Sequence, residues 1–148
     1  MAHTPFKVEI LTPDGSVFDD AVEMVSTRTT VGEIGILANH APLLATLDPT
    51  ELRLYVGDGE PLRFAQSEGY IQVGGNRAML LVAEMHRPDE LDVGALRERL
   101  GELERELAGA EREGDWRSAM LREQRRLQAF LRVAERPAAT TLAGAPTR

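Results

Sequence analysis

The sequence predicts an antiparallel β-sandwich followed by an α-helical hairpin, on three observations. Between Phe6 and Glu84 short apolar alternations recur, as in Phe6, Val8 and Ile10 or Leu52, Leu54 and Val56, and period two is the mark of strands with one buried face. Turn signals separate them at Pro13-Asp14-Gly15, Gly57-Asp58-Gly59 and Gly74-Gly75-Asn76. After Met85 the period changes: Leu96, Leu100, Leu103, Leu107 and Ala110 recur at intervals of four, three, four and three residues, one stripe of an amphipathic helix. The expected division is a sandwich over residues 1–86, a hairpin over 87–137 and a disordered tail over 138–148, where Ala, Thr and Pro dominate.

Composition narrows the function classes. A chain of 148 residues with 43% hydrophobic side chains can bury a core, and its formal charge of −7 with pI near 5.0 argues against nucleic acid as the main partner. Cysteine is absent, which removes disulfides, thiolate metal sites and a cysteine nucleophile. The first fifteen residues carry Lys7, Glu9 and Asp14, so no signal peptide is expected. The longest apolar run, Ala78 to Ala83, is far short of the roughly 20 residues that a membrane helix needs, and no direct lipid insertion is expected.

Taken in order, the stretch from Thr27 to Leu47 comes first. Gly32 and Gly35 bracket Glu33 and Ile34, which predicts a tight exposed turn with positive φ angles and an acid at its tip. Asn39, His40 and Pro42 then interrupt pairing before Leu43, Leu44 and Leu47 return to the core. Ala78 to Ala83, apolar without alternation, reads as a strand covered on both faces.

Pro88 with Asp89 or Asp92 supplies the first helix start, while Gly101 and Gly109 weaken that helix by about 1 kcal/mol each relative to alanine. Gly114 suits a helix end and Asp115 the next N-cap. The second helix shows an apolar side through Trp116, Met120, Leu127, Leu131 and Ala134 and stops near Pro137. Its polar side is cationic: Arg117, Arg122, Arg125, Arg126, Arg132 and Arg136 stand against Glu123 and Glu135, +4 over residues 117 to 136, on a body of −12 over residues 1 to 116. Those arginines can pair with the acidic first helix or dock on an acidic surface elsewhere. A hairpin with a weakened helix and a thin seam can also move between packings a few kcal/mol apart.

No catalytic constellation emerges. His3, His40 and His86 lack HxxxH or HExxH spacing, and Ser67 in Ala-Gln-Ser-Glu-Gly lacks the first glycine of a nucleophile elbow. Lys7 is the one lysine, so no Walker-type lysine exists. The chain is not expected to be an enzyme by itself. On residues alone, an adaptor with a helical dimerisation arm and a ligand-sensing β-domain with a helical lid both stay open. Gly101, Gly109 and Gly114 would interrupt the sustained heptads of the first.

Val31-Gly32-Glu33-Ile34-Gly35-Ile36-Leu37 followed by Asn39-His40-Ala41-Pro42-Leu43-Leu44 resembles the signature of the epsilon subunit of F-type ATP synthases. Val8-Glu9-Ile10, Thr12-Pro13-Asp14-Gly15, Val17-Phe18, Phe64-Ala65, Glu68-Gly69-Tyr70, Val73 and residues 115–133 resemble further parts of that family in its own order, over roughly nine tenths of the chain.

The resemblance implies a sandwich of about ten strands and a non-catalytic subunit of a proton-translocating complex, peripheral to the cytoplasmic face of a bacterial membrane. That subunit would join gamma to the c ring, with a mobile hairpin that restrains ATP hydrolysis in the alpha/beta catalytic head. It implies a c-ring contact at Gly32, Glu33, Ile34 and Gly35, a gamma contact at Asn39, His40, Ala41 and Pro42, and a head contact at Arg117, Arg122, Arg125, Arg126 and Arg132. Some members bind ATP through Leu-Asp-x-x-Arg-Ala; here Ala95 holds the arginine slot, and Arg97 lies about 200° around the helix from it. What is implied is at most a weak nucleotide site at Asp92, Arg122 and Arg126, and no cofactor is expected. The family often has proline where Ala38 stands.

Overall fold

The computed structural model describes residues 3–111 and 113–136, so the tail expected over 138–148 lies outside the described residues. Ten strands come first: β1 (Phe6–Thr12), β2 (Gly15–Val22), β3 (Met24–Thr29), β4 (Gly32–Leu37), β5 (Leu43–Leu47), β6 (Thr50–Tyr55), β7 (Leu62–Gln66), β8 (Gly69–Gly74), β9 (Arg77–Val82) and β10 (Met85–His86). Hydrogen bonding links them in the order β10-β7-β6-β3-β5-β8-β9-β1-β2, with β4 on the other side of β3. The single Thr29↔Leu47 pair between β3 and β5 is the corner at which one layer passes into the next.

Alternation builds the core. Val8, Ile10, Val25, Ile36, Leu47, Leu52, Leu54, Ile71 and Leu80 are fully buried between the layers, each contributing roughly 1.5–3 kcal/mol of apolar burial. The β8–β9 turn has Gly75 at φ 57° and Asn76 at φ 59°, the two positive φ angles that a type I′ hairpin demands. Gly69 is required for another reason: a Cβ there would lie 1.9 Å from the Leu81 carbonyl oxygen across the β8–β9 ladder.

Two expectations are corrected here. The segment from Ala78 is not covered on both faces: Ala78, Leu80 and Val82 point inward while Leu81 is exposed. Its continuous apolar run reflects an outward face that is itself apolar. The sandwich also contains a parallel neighbour pair, β1 with β9, from Lys7↔Arg77 to Leu11↔Leu81, because a long connection separates the two strands and a hairpin turn does not dictate their sense.

A 3-10 turn over Pro88–Glu90 leads to the helices α1 (Val93–Gly109) and α2 (Asp115–Glu135). Asp92, not Asp89, caps α1, its Oδ1 accepting the Ala95 N–H at 3.1 Å. Gly114 does not end α1, which stops at Gly109; it is the N-cap of α2 with φ 79°, and Asp115 is the first helical residue. Its acid sits beside the positive end of the helix dipole. Among the described residues no helix is long and apolar enough to cross a membrane.

The hairpin is packed down. α2 lies on the outer face of β6 and β7, and α1 packs mainly on α2. A second apolar cluster seals this contact, Ala65 from β7 with Ala129, Phe130 and Val133 from α2, flanked by Leu91 and Leu96. The apolar side of α2 is wider than expected, because Phe130 and Val133 add a face toward the sandwich beside the row containing Leu127 and Leu131. Trp116 is half-buried.

Candidate interaction sites

The β3–β4 hairpin places the first expected contact. Its tip is Thr30-Val31, with Gly32 at φ 137°; the Thr29 hydroxyl donates to the Gly32 carbonyl at 3.0 Å and accepts the Val31 N–H at 3.2 Å. Glu33 is therefore on the strand, one step from the turn, opposite Arg28 at 4.0 Å and exposed. Ile34 leans on the core. Gly35 has no positive φ; a Cβ there would lie 2.7 Å from Met24 Cε, so close packing is its role. Val31, 95% exposed, is the side chain at the tip.

The second expected contact sits at the opposite end of β4. Asn39 has φ 61°, and its N–H donates to Asn76 Oδ1 at 2.8 Å, tying the loop to the β8–β9 turn. The His40 N–H donates to the Leu37 carbonyl at 3.2 Å, and His40 Nδ1 lies 2.7 Å from the Ala41 carbonyl. Ala41 and Pro42 are exposed.

Beyond that loop lies a surface that the sequence analysis missed. The strand registers align Thr46, Tyr70, Leu81 and Leu11 in one row across β5, β8, β9 and β1, and Leu44, Gln72 and Met79 in the next. Leu44 is 74% exposed, Tyr70 57% and Leu81 46%. An apolar outer face of this kind is suited to contact with another protein. Its signal is the apolar run through Leu81, which in sequence looks the same as a strand covered on both faces.

The cations of α2 divide. Arg122, Arg125 and Arg132 are exposed and Arg117 is half-buried. Arg126 turns inward: its guanidinium grips Glu123 with two hydrogen bonds at 2.8 and 2.9 Å, reaches Glu84 at 3.1 Å and lies 5.1 Å over the Phe130 ring. His86 meets that ring edge-on at 5.7 Å, its Nε2 3.1 Å from Glu84. The Arg126 hydrogen bond holds the Glu123 carboxyl below its usual range against the opposing effect of burial. The pairing of α2 arginines with α1 acids does not occur among the described ion pairs, where the bridge between helices runs from Arg97 of α1 to Glu135 of α2 at 2.6 Å.

Glu51 is a second hub, with only 12% of its side chain exposed. It accepts from Arg53 at 2.6 Å, from Arg63, and from Arg136 at the end of α2 at 3.1 Å, while Arg63 also donates to the Val133 carbonyl at 3.4 Å. Burial alone would raise its pKa, but the hydrogen bonds from Arg53 and Arg63 outweigh it and hold the carboxyl below the usual range.

The three residues considered for a nucleotide are otherwise engaged or apart. Asp92 caps α1, Arg126 is held by Glu84 and Glu123, and Arg122 lies beside Glu68, Tyr70 and Ala83. Ser67 is buried and structural, its Oγ accepting the Glu84 N–H at 2.7 Å and lying 3.2 Å from the Glu84 carbonyl. Among the described residues no cluster of His, Asp and Glu could hold a metal ion.

Comparison with known proteins matches residues 5–88 to the model of the ATP synthase Delta/Epsilon chain β-sandwich domain. An ATP synthase epsilon chain from Sulfurihydrogenibium sp. is 33% identical over 129 residues, 87% of this chain and 96% of that protein. One from Dichelobacter nodosus is 40% identical over 95 residues, 64% of this chain and 66% of that protein, just under two thirds of its length. The fold recurs in the Euglena gracilis mitochondrial ATP synthase OSCP/F1/c-ring structure, with TM-score 0.71 at 20% identity over 85% of this chain and 77% of that one. It recurs again in the Tetrahymena thermophila mitochondrial ATP synthase central stalk/c-ring structure, with TM-score 0.60 at 14% identity over 90% and 99%. With a family model spanning more than half of its length and a relative 33% identical over 87% of it, this chain belongs to the ATP synthase epsilon chain family.

Proposed function

We propose that this chain is a non-catalytic central-stalk subunit of a bacterial F-type ATP synthase. In this reading it joins gamma to the c ring and restrains ATP hydrolysis when its hairpin leaves the sandwich for the alpha/beta head. The observation that carries the reading is the shape of the hairpin contact. One small cluster around Phe130 and two ion-pair hubs, at Glu84 and Glu51, hold α2 down, while Arg122, Arg125 and Arg132 stay in solvent. A contact of that kind separates without disturbing the sandwich core, which is a distinct cluster.

Val31 and Glu33 at one end of β4 suit the ring contact. Asn39, His40, Ala41 and Pro42, continuing into the exposed face of Leu44, Tyr70 and Leu81, suit gamma. The exposed α2 arginines would meet an acidic surface of the head, where charge supplies steering and register more than affinity. The subunit is peripheral to the cytoplasmic face of the membrane through these partners. Nucleic acid has no place in the reading, and nucleotide binding at Asp92, Arg122 and Arg126 is not part of it.

Deleting residues from Asp89 onward in the assembled complex tests the proposal. The sandwich is expected to stay folded and bound to gamma while ATP hydrolysis rises. Unchanged hydrolysis removes the brake, and loss of gamma binding by the intact chain removes the stalk role.

A further inference from the structure

A cleft of about 940 Å³ runs between α2 and the β3–β4 hairpin. Its floor is the part of the outer sheet face that α2 leaves uncovered, with Arg28 and Glu33, and its α2 wall carries Arg125 and Arg132. Asp48 and Glu51 close the end near Arg136. Its lining has a small cationic excess on a chain of net charge −7. Glu51 is shared by Arg53, Arg63 and Arg136, Glu135 is held by Arg97, and Glu33 faces Arg28. The lining thus has five arginines, Arg28, Arg53, Arg125, Arg132 and Arg136, against four carboxylates, Asp48 included. Arg125 and Arg132 have no ion-pair partner among the described residues.

We propose that this cleft binds an extended acidic segment of another polypeptide, which staples the hairpin to the sandwich. Spacing selects the ligand. Arg125 and Arg132 are seven residues apart on one face of α2, about 10 Å along the axis. Two carboxylates three residues apart on a polyproline II chain, with three residues per turn and about 3.1 Å per residue, lie on one side and span nearly the same distance. A compact phosphate meets one such cation at a time, and no glycine-rich main-chain cradle is present to surround it. Residues 137–148 contain no Asp or Glu, so they do not supply a pair of side-chain carboxylates. A segment lying across Arg28 as well as Arg125 and Arg132 touches both bodies, so it binds the packed state alone and shifts the hairpin toward that state.

The binding stands on the cleft itself; only its consequence for hydrolysis rests on the stalk reading. The test uses the isolated full chain and a short labelled Gly/Ser peptide bearing two glutamates three positions apart, followed by fluorescence anisotropy at low salt. Saturable binding is expected, weakened roughly tenfold by Arg125→Ala with Arg132→Ala, and absent for the glutamine peptide. Both arginines are exposed, so the variant keeps its fold.

No binding, or equal binding to the double variant, overturns the proposal. Competition by inorganic phosphate or ATP would make the cleft a compact-anion site and overturn it too. So would a homodimer in sedimentation that the double variant abolishes, since a second copy would then be the occupant. None of these outcomes touches gamma binding, so the stalk reading survives or fails separately.

Discussion

Arg136, at the C-terminal end of α2, donates to Glu51 on β6 at 3.1 Å across a sequence distance of 85 residues. Glu51 is already committed to Arg53 and Arg63, so the end of the hairpin docks onto a preformed carboxylate hub instead of ordering one.

Because pairing lowers the Glu51 pKa below its ordinary 4.5, the stabilisation is present above that value and is lost as pH falls through the lowered one. Glu123 is shifted the same way by Arg126, a pair contained within α2. Arg53 and Arg63 belong to the sandwich, so acidification below about pH 4.5 is expected to lower the sandwich's own melting temperature, followed by circular dichroism, and to remove the charge on which Arg136 docks. Glu51→Gln should weaken the docked state by no more than about 1 kcal/mol, since Arg136 is largely exposed, and flatten that titration. Identical titrations for the variant and the wild type would exclude Glu51 as the group responsible.

Phe130 anchors the same contact from its apolar side. It is 1% exposed, packed with Ala65 and Val133, and bounded by His86 and the Arg126 guanidinium. Phe130→Ala should cost about 3–5 kcal/mol of docking, more than a contact of this size can lose. The expected result is a folded sandwich with a released hairpin: trypsin cuts α2 at its arginines while the β circular dichroism and the sandwich's own melting transition persist. Coincident loss of both signals would show hairpin and sandwich to be one cooperative unit.

What could be anticipated from sequence follows the range of the interactions. Turns at Pro13-Asp14-Gly15 and Gly74-Gly75-Asn76, the cap at Asp92 and the Leu100–Leu103–Leu107 stripe are decided within a few residues, and local chemistry reveals them. The Glu51 hub draws on partners 2, 12 and 85 residues away, and the parallel β1–β9 pair on strands about seventy apart, so no local pattern announces either. Gly32 and Gly35 read as one turn in sequence because spacing alone does not distinguish a glycine needed for φ from one needed for close approach. The structure assigns Gly32 to the first role and Gly35 to the second. Phe130 was missed beside Leu127 and Leu131 because one apolar row suffices for a two-helix seam, and its excess over that seam was the sign of a third surface.

Glycine substitutions separate these roles. At Gly69 an added Cβ meets the backbone of Leu81 at 1.9 Å and Val82 Cα at 2.8 Å, atoms that move only if the ladder moves. Gly69→Ala should destabilise the sandwich by at least about 1–3 kcal/mol. At Gly35 the obstacle is the terminal methyl of Met24, which can rotate away, so Gly35→Ala should cost less than about 1 kcal/mol. Urea midpoints of the two variants test the order, and a Gly35→Ala loss equal to that of Gly69→Ala would contradict it.

The outer face formed by Leu44, Tyr70 and Leu81 carries the last prediction, because it separates the two ends of the proposed stalk contact. Tyr70 and Leu81 are cross-strand neighbours whose side chains stand in solvent, so a charge there leaves the buried rows of Ile71 and Leu80 intact. Tyr70→Glu with Leu81→Glu should preserve the melting temperature yet weaken association with gamma at least about tenfold, or roughly 1.4 kcal/mol, through desolvation of two carboxylates against an apolar partner. Val31→Ser with Glu33→Gln, at the far end of β4, should leave gamma affinity unchanged and lower ring affinity. Sedimentation with purified gamma and pull-down on c rings read the two effects independently. If the glutamate pair leaves gamma binding intact while the β3–β4 tip variant abolishes it, the two ends have been assigned the wrong way round.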